Sequence, residues 1–297
     1  MDPMIPMVNR QPGKLWAFLQ FPLVRLVIGF LAIGLWVFVF QVVVHLSGVQ
    51  PRSPLHALLG LLIPVGVLVI YTFFVRFLEK RPMVELAPRG AQRFAARGIL
   101  VGAALFCIAM LAMKLLGAWT YLGMAPFSYL AFPFLSALIA GILEETVVRG
   151  LLFRLLEEWL GSWIALALSA VIFGLLHAFN PGASIVSTAA IALEAGVLLA
   201  AAYMYSRSLW FVMGLHFAWN FTEGGIFATP VSGGPTEGVI RVSFESGKDW
   251  LTGGQFGPEA SLPAVLICLA AGIAFIMMAK RAGRVVAPSW RRGTTAS

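Results

Sequence analysis

Apolar residues gather into eight long runs along this chain, separated by short stretches where charge, glycine and proline collect. The runs fall near 23–46, 55–78, 98–118, 127–148, 162–178, 184–206, 208–222 and 262–281. Runs of this length predict helices that cross a bilayer, which needs about 20 apolar residues apiece. The fourth continues as an amphipathic helix to about 160, past Arg154, Glu157 and Glu158. The seventh is short for a full crossing, which a helix buried among others tolerates. The pattern predicts an all-α polytopic membrane protein, with about eight transmembrane helices around a buried polar cavity.

The charges between the runs alternate in kind. One set of links carries Arg76, Lys80, Arg81, Arg89, Arg93 and Arg97, then Arg154, Arg207 and the tail residues Lys280, Arg281, Arg284, Arg291 and Arg292; Arg10 and Lys14 precede the first run. The opposite set has only Arg52, Arg241 and Lys248, with Lys114 near an edge. Basic links face the cytoplasm, so eight spans place both termini there, in the plasma (inner) membrane as a multi-pass protein. One slipped span would destroy this agreement. The chain thus reads as an N-terminal cytoplasmic segment 1–22, a single transmembrane domain 23–284 and a flexible cytoplasmic tail 285–297. The segment 223–261, rich in glycine and proline, is expected as an ordered or half-ordered outside loop.

Composition agrees. Of 297 residues, 60% are hydrophobic and 11% charged, with mean hydropathy +0.89, against about 25% charged in a soluble domain. The net charge of +8 would suggest nucleic acid in a soluble protein. Here it is topological, and the expected partner is the lipid bilayer, not nucleic acid. Cys107 and Cys268 both lie inside apolar runs and read as neither a disulfide nor metal ligands.

Carboxylates inside such runs are costly unless paired or wet. Glu144 and Glu145 stand side by side in the fourth run, with Arg149 behind them. Neighbours on a helix point about 100° apart, while Glu145 and Arg149 share a face. The spacing predicts a Glu145–Arg149 ion pair and a free Glu144, able to act as a general base on water. A purely structural role, with Arg149 reaching toward the cytoplasmic face, is the alternative. Phe173 and His177 share a face late in the fifth run, and His216 and Asn220 share one in the seventh. An imidazole and an amide on one face could hold an oxyanion, or could satisfy each other. Glu194, in the sixth run, reads as a structural acid paired with Arg149 or a histidine, the alternative being that it lines the cavity.

Glu144-Glu145-x3-Arg149, Phe173-x3-His177 and His216-x3-Asn220, in that order, resemble the three motifs of the CAAX prenyl protease 2 family, also called CPBP or Abi. The resemblance covers about 130–225, and Arg81-Pro82 with Glu85-Leu86 is similar to the family's upstream segment. It implies an eight-helix bundle with a buried conical cavity, a catalytic core at about 127–225, and an intramembrane endopeptidase. Glu144 would activate water with help from His177, and His216 and Asn220 would form the oxyanion site. Glu145, Arg149 and Phe173 would support them. The implied partner is a peptide or protein substrate, lipidated or membrane-embedded. No cofactor is required in the favoured reading; the alternative is a divalent metal such as zinc on Glu144, His177 and His216. An ion-coupled membrane transporter, or a non-catalytic relative that binds a membrane partner, are the competing functions.

One tension follows from the spans. His177 falls near the outer end of the fifth run, whereas Glu144 lies some 17 residues into the fourth, deep toward the inside at about 1.5 Å per residue. They meet only if the fourth span starts later or tilts, or the fifth shifts.

Overall fold

The computed structural model describes residues 13–50, 53–235 and 237–292, the side chain of Ala57 excepted. Arg10 and the N-terminal prolines, Arg52 and the end of the tail lie outside the described residues.

Helices form where the apolar runs predict them. They are α1 (Pro22–Leu46), α2 (Pro54–Glu79), α3 (Ala91–Leu115), α4 (Phe127–Leu160), α5 (Ser162–Leu176), α6 (Ile185–Ser206), α7 (Leu209–Asn220, extended by a π turn over Phe221–Ile226) and α8 (Leu262–Arg281). Six of these, α1, α2, α3, α4, α6 and α8, are long and apolar enough to cross a membrane. Together they make an all-α polytopic membrane protein. The other two are helical, but α5 is short and α7 carries polar groups, so length alone does not bring the crossings to eight. Large side chains such as Leu31, Leu35, Phe38 and Leu100 point outward, as expected of a surface that meets lipid.

Two departures from the expected pattern matter. Residues Trp119–Met124 form a strand, β1, which pairs antiparallel with β2, Ile240–Phe244. Short strands with flanking glycines leave no hydropathy signal among long apolar runs. The 223–261 segment is therefore a built cap, with helix to Ile226, the strand and a one-turn helix at Asp249–Thr252. The tail up to Arg292 is also tied down, since Ser162 N–H donates to Val286 O and Val286 N–H to Ser162 Oγ.

The hairpin of α4 and α5 resolves the mismatch of Glu144 and His177. As the sequence predicts, α4 continues past 148 to Leu160, and the chain reverses at Gly161. Gly161 has φ +79°, and an added Cβ would lie 2.8 Å from Pro288 N, so the turn requires glycine. Glu144 lies 17 residues before that turn and His177 16 after it. In an antiparallel hairpin the two therefore share one level.

α7, which carries His216 and Asn220, is seated on α3 and α4 through glycines. A Cβ on Gly98 would lie 2.0 Å from Phe211 O, one on Gly102 2.2 Å from Leu215 O, and one on Gly141 3.1 Å from Met213 O. Small residues let helix backbones approach in membranes. Gly102→Val is expected to force α7 off α3, costing about 2–3 kcal/mol and displacing His216. A lower unfolding midpoint in detergent would check it; an unchanged midpoint would contradict it.

At the end of the bundle that carries the 80–90 link, the basic residues are partly internal. Glu79 accepts from Arg25 at 3.1 Å, Arg81 at 2.7 Å and Arg154 at 2.8 Å. Arg81 also binds Glu85 through both nitrogens, at 2.9 and 2.6 Å, and Tyr71 donates to Glu85. Burial raises the Glu85 carboxyl, but the bonds and charge of Arg81 outweigh it and hold it below the usual range. The Arg81–Glu85 segment is thus part of an ionic clasp, which Tyr71 joins to the carbonyl of Gly150, next to Arg149.

Candidate active site

Glu144 and Glu145 end the regular α-helical part of α4, and a π turn over Thr146–Phe153 follows at once. Such turns re-aim side chains and recur at functional sites. The two carboxylates diverge as the 100° rule requires. Glu145 is fully buried, whereas the Glu144 side chain keeps 31% exposure and faces a cavity.

Arg149 does not reach for the membrane surface. It is fully buried, donating to Glu145 Oε1 at 2.8 Å and to the carbonyls of Ala195 and Gly196 at 3.2 and 3.3 Å. Its guanidinium also lies 4.6 Å from the centroid of the Phe173 ring. One side chain thereby ties α4 to α5 and α6.

Glu145 Oε1 does a second job, for it lies 2.8 Å from His216 Nδ1. A carboxylate there requires Nδ1 to carry a proton. His177 is held the same way, with Nδ1 2.8 Å from Phe173 O; a carbonyl only accepts, so this Nδ1 is protonated too. Both rings therefore turn Nε2 toward Glu144. The two Nε2 atoms each lie 3.9 Å from Glu144 Oε2, which has no hydrogen-bond partner among the described residues. That gap is too long for a direct hydrogen bond, and a water about 2.8 Å from both sides would fill it.

The cavity has a volume of about 290 Å³ and is lined by Phe132, Ser136, Glu144, His177, His216 and Asn220, among others. Asn220 follows His216 by one helical turn and shares its face. The far wall is the loop at Ser232–Pro235. Asn180 fixes that wall by donating to Ser232 O at 3.0 Å, and Ser232 N–H and Oγ–H donate to Glu259 Oε2 at 2.8 and 2.6 Å. Asn180 reads from sequence only as a turn residue, because its partner is 52 positions away.

Glu194 departs from expectation. Among the described residues it pairs with neither Arg149 nor a histidine: its Oε1 accepts from Cys268 Sγ at 3.3 Å, and its Oε2 has no hydrogen-bond partner there. With Glu259 it borders a chamber of about 20 Å³ behind His177, His216 and Asn220, room for about one water. Glu223, in the π turn after α7, is fully buried beside Trp219 and Glu259, with no well-aligned hydrogen bond to either carboxylate oxygen among the described residues. Glu223 falls one residue beyond the seventh apolar run and Glu259 within the 223–261 segment, so the sequence marks neither as buried.

The zinc alternative can be tested by spacing. Two ligands on a tetrahedral zinc at 2.0–2.1 Å lie about 3.3 Å apart. The separations of 3.9 Å from Glu144 to each ring are wider, and no group of three His, Cys, Asp or Glu among the described residues is placed to hold a metal. The trio as placed does not fit a tetrahedral ion.

Neither a curated protein nor a solved structure matches the chain. Residues 126–222, which contain all three motifs, match the model of the Rce1-like family, described as type II CAAX prenyl endopeptidase Rce1-like. The carboxylate, the two inward-turned imidazoles and the cavity all come from this stretch or border it, and the membrane protein thus carries a domain of the CPBP family.

Proposed function

We propose that the protein is an intramembrane endopeptidase in which Glu144 activates water directly. The observation that carries this is Glu144 Oε2, without a hydrogen-bond partner among the described residues and 3.9 Å from two imidazole Nε2 atoms at a polar-lined cavity. Water in that gap donates to Glu144 and to the lone pair of His177 Nε2. Glu144 takes a proton as the water oxygen adds to the peptide carbonyl carbon. Asn220 N–H donates to the oxyanion that forms. When the His216 ring carries both protons, Nδ1–H donates to Glu145 and Nε2–H donates to the oxyanion. The proton on Glu144 passes to the leaving nitrogen as the C–N bond breaks, and the second water proton, left on the new carboxylic acid, passes to the freed amine to give a carboxylate and an ammonium group. The width of the trio supports a step without a metal.

A second, apolar cavity of about 520 Å³ meets the first at Glu144 and His177. Phe30, Ile33, Val37, Val147 and Leu176 line it, between α1 and the α4–α5 hairpin. A polar chamber joined to a greasy one suits a polypeptide with a membrane-embedded or lipidated part. A transporter would need a path onward from Glu144; instead Leu151, Phe153 and Leu155 are fully buried beyond it.

The test is cleavage of membrane-anchored and lipidated peptides by purified protein in liposomes, with products identified by mass. Wild type is expected to cut, and Asn220→Ala to lose about 10²–10³ in kcat. Ion flux without cleavage would favour the transporter.

A further inference from the structure

The cavity has a definite direction. Its walls are Phe132, Pro133 and Ser136 at the start of α4, and Ser232, Gly234 and Pro235 in the cap between α7 and α8. These lie at the end of the bundle that also holds β1 and β2. Glu144 forms the floor. In the other direction Val148, Leu151, Leu152 and Leu155 are buried, and Arg149 plugs the space between α4, α5 and α6. The site is therefore closed from the end that carries the 80–90 link and the tail.

That closed end is the basic one. Lys80, Arg81, Arg89, Arg93, Arg207, Arg284 and their neighbours sit there, while the cavity end has Lys114, Arg241 and Lys248 among the described residues. The basic end of a membrane protein stays in the cytoplasm. We propose that the active-site cavity opens to the extracytoplasmic side, and that it takes exported polypeptides or the outward-facing segments of membrane proteins. A lipidated C-terminal tail presented from the cytoplasm would meet the closed end, leaving it only the apolar chamber between α1 and the α4–α5 hairpin as a route to Glu144. The substrate class rests on the endopeptidase reading; the orientation does not.

Labelling separates the two. Cys268 is fully buried, so Cys107→Ser leaves a background with no exposed thiol among the described residues. Into it go single changes, Ser136→Cys at the cavity wall, Glu245→Cys in the cap and Arg89→Cys in the basic link. With a membrane-impermeant maleimide on intact cells, the cap and wall positions are expected to label. The link position is expected to label only after permeabilisation. Labelling of Arg89→Cys in intact cells, with Glu245→Cys protected, would overturn the proposal whether or not the protein cleaves anything. In a second arm, soluble peptide is added to sealed vesicles. Right-side-out vesicles are expected to cleave it and inverted ones to do so only once pierced; the reverse would overturn the assignment of substrate side while leaving the endopeptidase reading intact.

Discussion

Glu144→Gln is expected to lower kcat for peptide cleavage by about 10³-fold, within the range for loss of a general base, with the fold retained. Glutamine keeps the shape of the side chain but cannot take a proton from water. Glu144 makes no direct hydrogen bond to protein through Oε2, and its side chain is 31% exposed. The change therefore removes no packing and leaves no charge stranded. His177→Ala should cost less, because it removes a group that holds the water and not the base itself. Initial rates of wild type and variant in the same liposomes, alongside unfolding midpoints, would check this. A variant that melts like wild type and cuts at the wild-type rate would remove Glu144 from the chemistry.

Arg149→Ala is expected to have the largest effect on stability. Its guanidinium and the Glu145 carboxylate are both fully buried, 2.8 Å apart. Deleting one partner strands the other in a dry interior, at a cost of about 3–5 kcal/mol. The carbonyls of Ala195 and Gly196 lose their donor as well. Much of the variant should aggregate on extraction from the membrane. The paired change Glu145→Gln with Arg149→Met removes both charges and should recover much of the midpoint. It should not recover activity, since His216 Nδ1 loses the carboxylate that orients it. An Arg149→Ala protein that melts with wild type would show that the ion pair does not hold the three helices.

Helix positions were legible because a membrane leaves hydropathy as the main signal, and the i, i+4 spacing of Glu145 and Arg149 is enough to foresee their pair. Two things were not legible. The sequence foresees that α4 continues to about 160 but not how the chain reverses there, so the levelling of Glu144 with His177 came only with the Gly161 turn and its contact with Pro288. Spacing within one helix also says nothing of bonds between helices. The Glu145–His216 contact spans 71 positions, Asn180 reaches Ser232, and Glu194 meets Cys268 instead of Arg149. The acids Glu223 and Glu259 belong with these, since only the fold shows that they are buried. The roles of His216 and Asn220 rest on a shared helical face that sequence does show, and on a shared cavity that it does not.

The central claim is that Glu144 activates water without a metal between it and the histidines. The most direct measurement is cleavage by wild type and Glu144→Gln after exhaustive treatment with a strong chelator, with the metal content of each sample determined. The account predicts that metal-free wild type keeps its rate and the variant has almost none. Loss of wild-type activity on chelation, restored by stoichiometric zinc, would contradict it.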